Sequence, residues 1–200
     1  MKHTSTRELF GYWDMQRGTR AAPERDDIDP AAIRHVLADT FVLADDFTGD
    51  SRFRLAGTKV CALFARELKD VRFLDLWDAQ SVASMQDLLA IVSDENLGVV
   101  AGVTAVSSAG NEIEMELLLL PLARRGHARV RAVGVLVPLT QPYWVGAGPL
   151  RDLRLGTLRH MGERMPALPS LTAAQPGGRQ RRGFVVYDGG RSRVQDNDAA

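Results

Sequence analysis

Four groups of residues in this chain have chemistry to offer: glutamates at alternate positions, one cysteine, scattered histidines and a late run of arginines. Glu112, Glu114 and Glu116 stand two apart, the spacing that puts side chains on one face of a strand. Three carboxylates on one face can do acid–base work if that face lines a cleft. The residues between them, Ile113, Met115 and Leu117, followed by Leu119, claim the buried face instead. The glutamates therefore read as a solvated or arginine-paired surface, with Arg129 or Arg131 as cross-strand partners.

Cys61 is the single cysteine, which excludes an internal disulfide and a cysteine-built zinc site and fits a reducing compartment. Between Val60 and Ala62 it reads as a small buried apolar residue; a redox-sensing thiol, the other reading, needs a depressed pKa. His35, His127 and His160 are far apart in sequence and have no convergent partners at metal-ligand spacing. The chain contains no Gly-x-Ser-x-Gly and no phosphate-binding Gly-x-x-x-x-Gly-Lys. No catalytic residue, no metal and no cofactor are assigned, and the protein is read as a non-enzyme.

Nine arginines lie between Arg151 and Arg193, against Asp152, Glu163 and Asp188. They read as a solvated basic tail, with contact to an anionic partner as the alternative. Lysine plus arginine equals aspartate plus glutamate at 25 each over the whole chain, so no net field steers it to nucleic acid or an anionic membrane. At 45% hydrophobic and 25% charged residues, the 200-residue chain has the composition of one globular domain with extensions. Its first residues lack the apolar core of a signal peptide and no run reaches ~20 apolar residues, so a cytoplasmic location without membrane contact is expected.

The elements that would position these groups follow from periodicity. Ser5, Thr6, Arg7 and Glu8 have the form of a capping box at a helix start. Leu9, Phe10, Tyr12 and Trp13 put a bulky stripe on that helix, and Gly18 ends it. After a charged linker, Asp29 and Pro30 read as a second helix start, with Ile33, Val36 and Leu37 buried. Residues 40–43 and 52–55 form a hairpin, and Gly57 supplies a positive-φ turn. Leu63 and Phe64 suit a short inward-facing helix, and Phe73, Leu74, Leu76 and Trp77 form an apolar cluster before a long helix over 79–95. Val82, Met85, Leu88, Leu89 and Val92 line that helix, with Asn96 and Gly98 at its C-terminal end. Strands follow at 99–107, 112–120 and 130–137. Residues 150–161 read as either strand or short helix, and 166–182 have the composition of a linker.

Beyond Glu116 the glutamate face continues with Leu118 and Leu120, which cannot stay bare beside a loose aromatic helix. Leu9, Phe10 and Trp13 are expected to cover it, from the same chain or from a partner subunit. Leu9, Phe10, Trp13, Leu118 and Leu120 are accordingly the expected interface of a homodimer.

The order of elements resembles a PAS domain, on the strength of Arg54-Leu55-Ala56-Gly57-Thr58, Leu63-Phe64-Ala65-Arg66-Glu67-Leu68 and Phe73-Leu74-Asp75-Leu76-Trp77. It is most similar to the bacterial family of small, mostly single-domain PAS proteins formerly classed as a domain of unknown function. Members show a similar Leu-Phe-x-Tyr-Trp (Leu9 to Trp13), Asp-Ile-Asp-Pro (Asp27 to Pro30) and a tail like that from Val185 to Gly190. The resemblance implies an α+β fold: a five-stranded antiparallel sheet, helices on one face, an N-terminal helical cap on the other. It divides the chain into a cap over 1–37, a PAS-like domain over 38–140 and an extension over 141–200 carrying the apolar motif of Phe184 to Tyr187. It also implies a sensory or regulatory module that contacts other signalling proteins, with room for a small apolar ligand. The expected pocket residues are Arg54, Leu55, Thr58, Leu63, Phe64, Phe73, Trp77, Leu89, Val103, Met115 and Val135, with Arg54 and Thr58 as polar anchors. A small-molecule carrier or an enzyme on the same cone-shaped sheet is the alternative. Haem is disfavoured because residues 79–95 lack the histidine that haem-binding PAS proteins place on the long helix. Flavin photochemistry is disfavoured because Cys61 stands outside an Asn-Cys-Arg-Phe-Leu-Gln motif.

Overall fold

The computed structural model describes residues 1–123, 130–161, 180–181 and 184–185. Residues Met1–Glu163 form one compact unit and Arg164–Ala200 another. The first unit opens with helix α1 (Thr4–Arg17). Its N-cap is His3, whose Nδ1 accepts the Ser5 N–H at 3.1 Å. The expected capping box is absent because both of its side chains are engaged elsewhere. The Ser5 hydroxyl donates to Asp39 at 2.8 Å and Glu8 pairs with His35 at 2.8 Å.

The helix expected after Asp29 does not form. Asp29 caps Ala31 N–H at 2.9 Å, but the chain continues as turns into a 3-10 helix, Leu37–Asp39. Ile33 and Val36 are buried as expected; Leu37 is 36% exposed. Strands β1 (Thr40–Asp45) and β2 (Ser51–Ala56) form the hairpin, with Gly49 at φ 88° in its turn. Gly57 has φ −66°, so a positive φ is not its reason for being glycine. A Cβ there would lie 2.2 Å from the Leu37 carbonyl oxygen and 2.4 Å from that of Ala38, so close backbone approach is the reason.

Helix α2 (Thr58–Leu63), the 3-10 helix Phe73–Leu76 and helix α3 (Ala79–Asp94) then pack on one sheet face. The Asp78 side chain accepts Ser81 N–H at 2.9 Å and so caps α3. Asn96, at φ 55°, takes the left-handed position after α3, while Gly98 opens the next strand. Strands β3 (Gly98–Ser107), β4 (Glu112–Pro121), β5 (Val130–Pro138) and β6 (Leu150–Met161) follow. The antiparallel sheet has the order β2-β1-β5-β4-β3-β6. It contains the five expected strands and a sixth, β6, beside β3, which resolves residues 150–161 as strand.

The sheet separates two apolar layers. On the helix side Phe41, Leu43, Phe53, Met115, Leu117 and Leu119 meet α2 and α3. On the other side Val100, Leu118, Leu120, Val133, Val135 and Val137 meet Leu9, Trp13, Ile28, Ile33 and Val36. In the second unit only a short hairpin is described, β7 (Gln180–Arg181) with β8 (Phe184–Val185). Val186 and Tyr187, and with them the rest of the apolar tail motif, lie outside the described residues, as do His127 and Arg129.

Candidate functional site

The expected pocket lies between the sheet and its helices, and its residues divide into three groups. Leu63, Phe64, Phe73, Trp77, Val103 and Met115 are buried together in the helix-side layer, with Leu89 packed against it. The space among them is filled by rings: Phe73 lies 5.8 Å from Phe41, 5.6 Å from Phe53 and 5.8 Å from Trp77, centroid to centroid. Such pairs add about 0.5–1.5 kcal/mol each beyond their burial. One donor in this cluster is unmet: Trp77 Nε1–H is buried with no acceptor among the described residues.

The second group is displaced by a bulge. Val42 pairs with Leu55 and Leu43 with Phe53, which leaves Arg54 as the extra residue of β2. The strict alternation of Phe53 and Leu55 therefore breaks, and Leu55 turns away from the core to 56% exposure. Arg54 and Thr58 are also exposed and anchor nothing in the interior. Arg54 instead borders an open recess at the hairpin with Asp46, Phe47 and Asp70. The hairpin is fixed by Arg52 Nε to Asp46 at 2.6 Å and Arg72 to Asp50 at 2.9 Å. Hydrogen bonds from Thr48 and Arg52 hold the Asp46 carboxyl well below the usual carboxylate range. The third group is Val135 alone: it is fully buried, but in the layer on the far side of the sheet.

That far side holds the expected interface residues, and it is closed within the chain. Leu9, Leu118 and Leu120 are fully buried and Trp13 is 1% exposed, because α1 of the same chain lies across β4 and β5. Trp13 Nε1 donates to the Pro121 carbonyl at 2.8 Å, and the Arg17 guanidinium sits 5.0 Å above the indole. Phe10, half-buried, is the one member of the five that keeps appreciable exposure.

Glu116 is the residue of this face that the sequence misplaces. It is 5% exposed and accepts the backbone N–H groups of Lys2 at 2.6 Å and His3 at 3.0 Å. Burial pushes its carboxyl up, but these two bonds and the N-terminal ammonium outweigh it, so the net direction is downward. The signal available in the sequence was its position: Glu116 stands where the glutamate row meets Leu118 and Leu120, at the rim of whatever covers them. Glu112 pairs with Arg154 of β6 at 2.9 Å, a strand not counted among its partners, and Glu114 is exposed. Burial raises the Cys61 thiol, as for an inert core cysteine. His35 pairs with Glu8 and His160 is exposed on β6.

Near the same end of the molecule His3, Asp39, Lys59 and Gln141 rim a recess of about 190 Å³ floored by Leu63, Leu136 and Val145. Asp39 is 5% exposed there, with Lys59 Nζ at 3.3 Å. Among the described residues no three His, Cys, Asp or Glu side chains converge as a metal site would.

A family model of the PAS domain matches residues 1–137. No curated protein matches the chain. Among solved structures, the PAS domain of a protein from Colwellia psychrerythraea is similar at 12% identity, with 55% of this chain and 97% of that one covered and a TM-score of 0.40. An RNA-binding light-oxygen-voltage receptor is similar at 18% identity and a TM-score of 0.38; the match covers 59% of this chain and 33% of the receptor.

Proposed function

This chain belongs to the PAS domain family, sensory modules in general, and on that premise we propose that it is a non-enzymatic regulatory module acting through protein contacts. The observation that carries this reading is the two-sided sheet. One face is filled by an aromatic core, and the other is wrapped by a helix held at three polar points: Glu116, Asp39 and the Pro121 carbonyl. A helix held by a few identifiable bonds can be repositioned when the sheet beneath it shifts, which is how a packed module converts an input into a changed surface. A cytoplasmic location is part of this reading, supported by the single cysteine, Cys61, which can form no internal disulfide. No helix among the described residues is long and apolar enough to cross a membrane.

The second reading, a small-molecule carrier or enzyme on the same sheet, is favoured by one observation, the unmet Trp77 indole N–H. A buried donor without a partner costs about 1–3 kcal/mol, which a ligand acceptor would recover. Native mass spectrometry of freshly purified protein separates the two. The regulatory reading expects the mass of the bare chain or of a multiple of it. A small molecule retained in stoichiometric amount, and lost on Trp77→Phe, would favour a ligand sensor or a carrier over a pure interaction module.

A further inference from the structure

We propose that the recess between the start of α1 and α2 binds a small zwitterion with an apolar end, of the free α-amino acid class, seated between Asp39 and Lys59. The proposal rests on the reading above, that repositioning of α1 is how the module signals, and supplies an input for it.

The recess lies at the margin of the helix-side layer, outside the ring cluster around Phe73. Its volume is about 190 Å³, its rim is polar, and its floor of Leu63, Leu136 and Val145 is apolar. Pockets for drug-sized ligands start at about 300 Å³, so this one suits a smaller guest with a short apolar side chain.

The two charges on the rim differ in freedom. Asp39 is 5% exposed and fixed, because its Oδ2 accepts the Ser5 hydroxyl at 2.8 Å. Lys59 reaches it from α2 with its own side chain 67% exposed. Its Nζ stands 3.3 Å from both carboxylate oxygens, whereas charge-assisted bonds settle at about 2.7–2.9 Å. The Arg52–Asp46 and Arg154–Glu112 pairs of the same chain close to 2.6 Å and 2.9 Å. The Asp39–Lys59 pair is therefore slack, and Asp39 Oδ1 has no other donor among the described residues.

One kind of guest can enter this pair and leave every charge matched. Its ammonium replaces Lys59 Nζ at Asp39, and its carboxylate replaces Asp39 at Lys59. A lone amine strips Lys59 of its partner, and a lone carboxylate brings a second negative charge to Asp39. A neutral guest separates the pair without replacing either member, which is costly for a carboxylate as buried as Asp39. His3 and Gln141 serve the carboxylate end. His3 Nδ1 accepts the Ser5 N–H, so the ring's proton sits on Nε2 and makes it a donor; Gln141 brings an amide with two more.

Both anchors are tied to the cap. Asp39 holds the Ser5 hydroxyl and His3 the Ser5 N–H in the first turn of α1, while the N–H of His3 is held by Glu116. A guest on Asp39 and His3 thus acts on the bonds that seat α1, and it shifts the helix to the extent that it binds one seating better than another.

A nitrogen-15 NMR titration of the full chain with L-valine, L-leucine and L-methionine tests this. At least one is expected to give saturable shifts centred on residues 3–5, 39, 59–63 and 136–145, with a Kd of about 0.1–1 mM. A guest held that weakly is lost on purification, so the bare mass expected of the regulatory module stands. Removing one charge from the guest is expected to weaken binding about tenfold or more; for leucine the analogues are 4-methylpentanoate and 3-methylbutylamine. Lys59→Met, at an exposed position that leaves the fold intact, keeps only Asp39 on the rim and is expected to invert the order, so that the amine outbinds the amino acid. No saturable shift by about 20 mM, shifts confined to the ring cluster, singly charged analogues that bind as well, or a Lys59→Met chain that keeps the wild-type order overturns the proposal. The Trp13 indole N–H, bonded to the Pro121 carbonyl, reports on α1 in the same spectra. Saturation of the recess with an unmoved indole upholds the site and counts against the signalling role given to α1. Absence of binding overturns the site and leaves the regulatory reading to the native mass measurement.

Discussion

At the scale of single residues, Glu116 and Gly57 show how much depends on one atom. Glu116 bonds two backbone N–H groups at the entry to α1, and a hydrogen bond to a charged group contributes about 1.5–3 kcal/mol. Glu116→Gln keeps the shape and loses the charge, so chemical denaturation at neutral pH should show a loss within that range. The net pKa of Glu116 is lowered on folding, so its contribution is complete above the unfolded value of 4.5 and disappears as pH falls through the lower folded value. The Gln variant should therefore lose less stability than the wild type between about pH 5 and pH 3; equal acid sensitivity of the two would contradict this assignment. Gly57→Ala asks a methyl group to sit 2.2 Å from a carbonyl oxygen with no flexible side chain to yield. A loss of roughly 1–3 kcal/mol is expected, of the overpacking kind, measured in the same denaturation experiment. Neither effect was legible beforehand. Glu116 looks solvated until its cover is known, and Gly57 looks like a turn glycine until the 37–39 backbone is placed against it.

Among elements, legibility followed the strength of a repeating pattern. Strand β4 was readable because Ile113, Met115, Leu117 and Leu119 alternate without a break, and α3 because its buried positions recur every three or four residues. Leu55 was misplaced because the bulge at Arg54 arises from pairing with β1, which the sequence of β2 does not reveal. Strand β6 was ambiguous for a similar reason. Its pairing with β3 is irregular near Asp152 and near Gly156, and Asp152 takes φ 48°, so its burial never alternates for long. Those irregularities have a use: Leu153 C=O accepts Asp78 N–H at 3.0 Å and Leu155 N–H donates to Ser81 Oγ at 2.9 Å, so part of the sheet's edge is bonded to the start of α3. The cap α1 was readable as an apolar helix seeking a cover, and the structure supplies that cover from the same chain. Deleting residues 1–20 should expose Leu118, Leu120 and Val100 at once, giving a domain that binds a hydrophobic dye and aggregates. A truncated protein as soluble and dye-silent as the full one would show that α1 is dispensable.

For the molecule as a whole, the origin of α1 decides how stability depends on concentration. A helix donated by a partner would make Trp13 burial a second-order event, and its loss would matter most in dilute solution. Here Leu9 and Trp13 are buried by their own chain, so the contribution of Trp13 is first-order. Trp13→Ala should cost about 3–5 kcal/mol, as removal of a fully buried aromatic does. The difference between wild type and variant in denaturation midpoint should be the same at micromolar and at submillimolar protein. That holds for any association to which α1 contributes nothing, because the association term is then common to both chains and cancels in the difference. A gap that narrows as concentration rises would instead mean that α1 is exchanged between subunits, and Leu9, Trp13, Leu118 and Leu120 would then regain the intersubunit role expected of them.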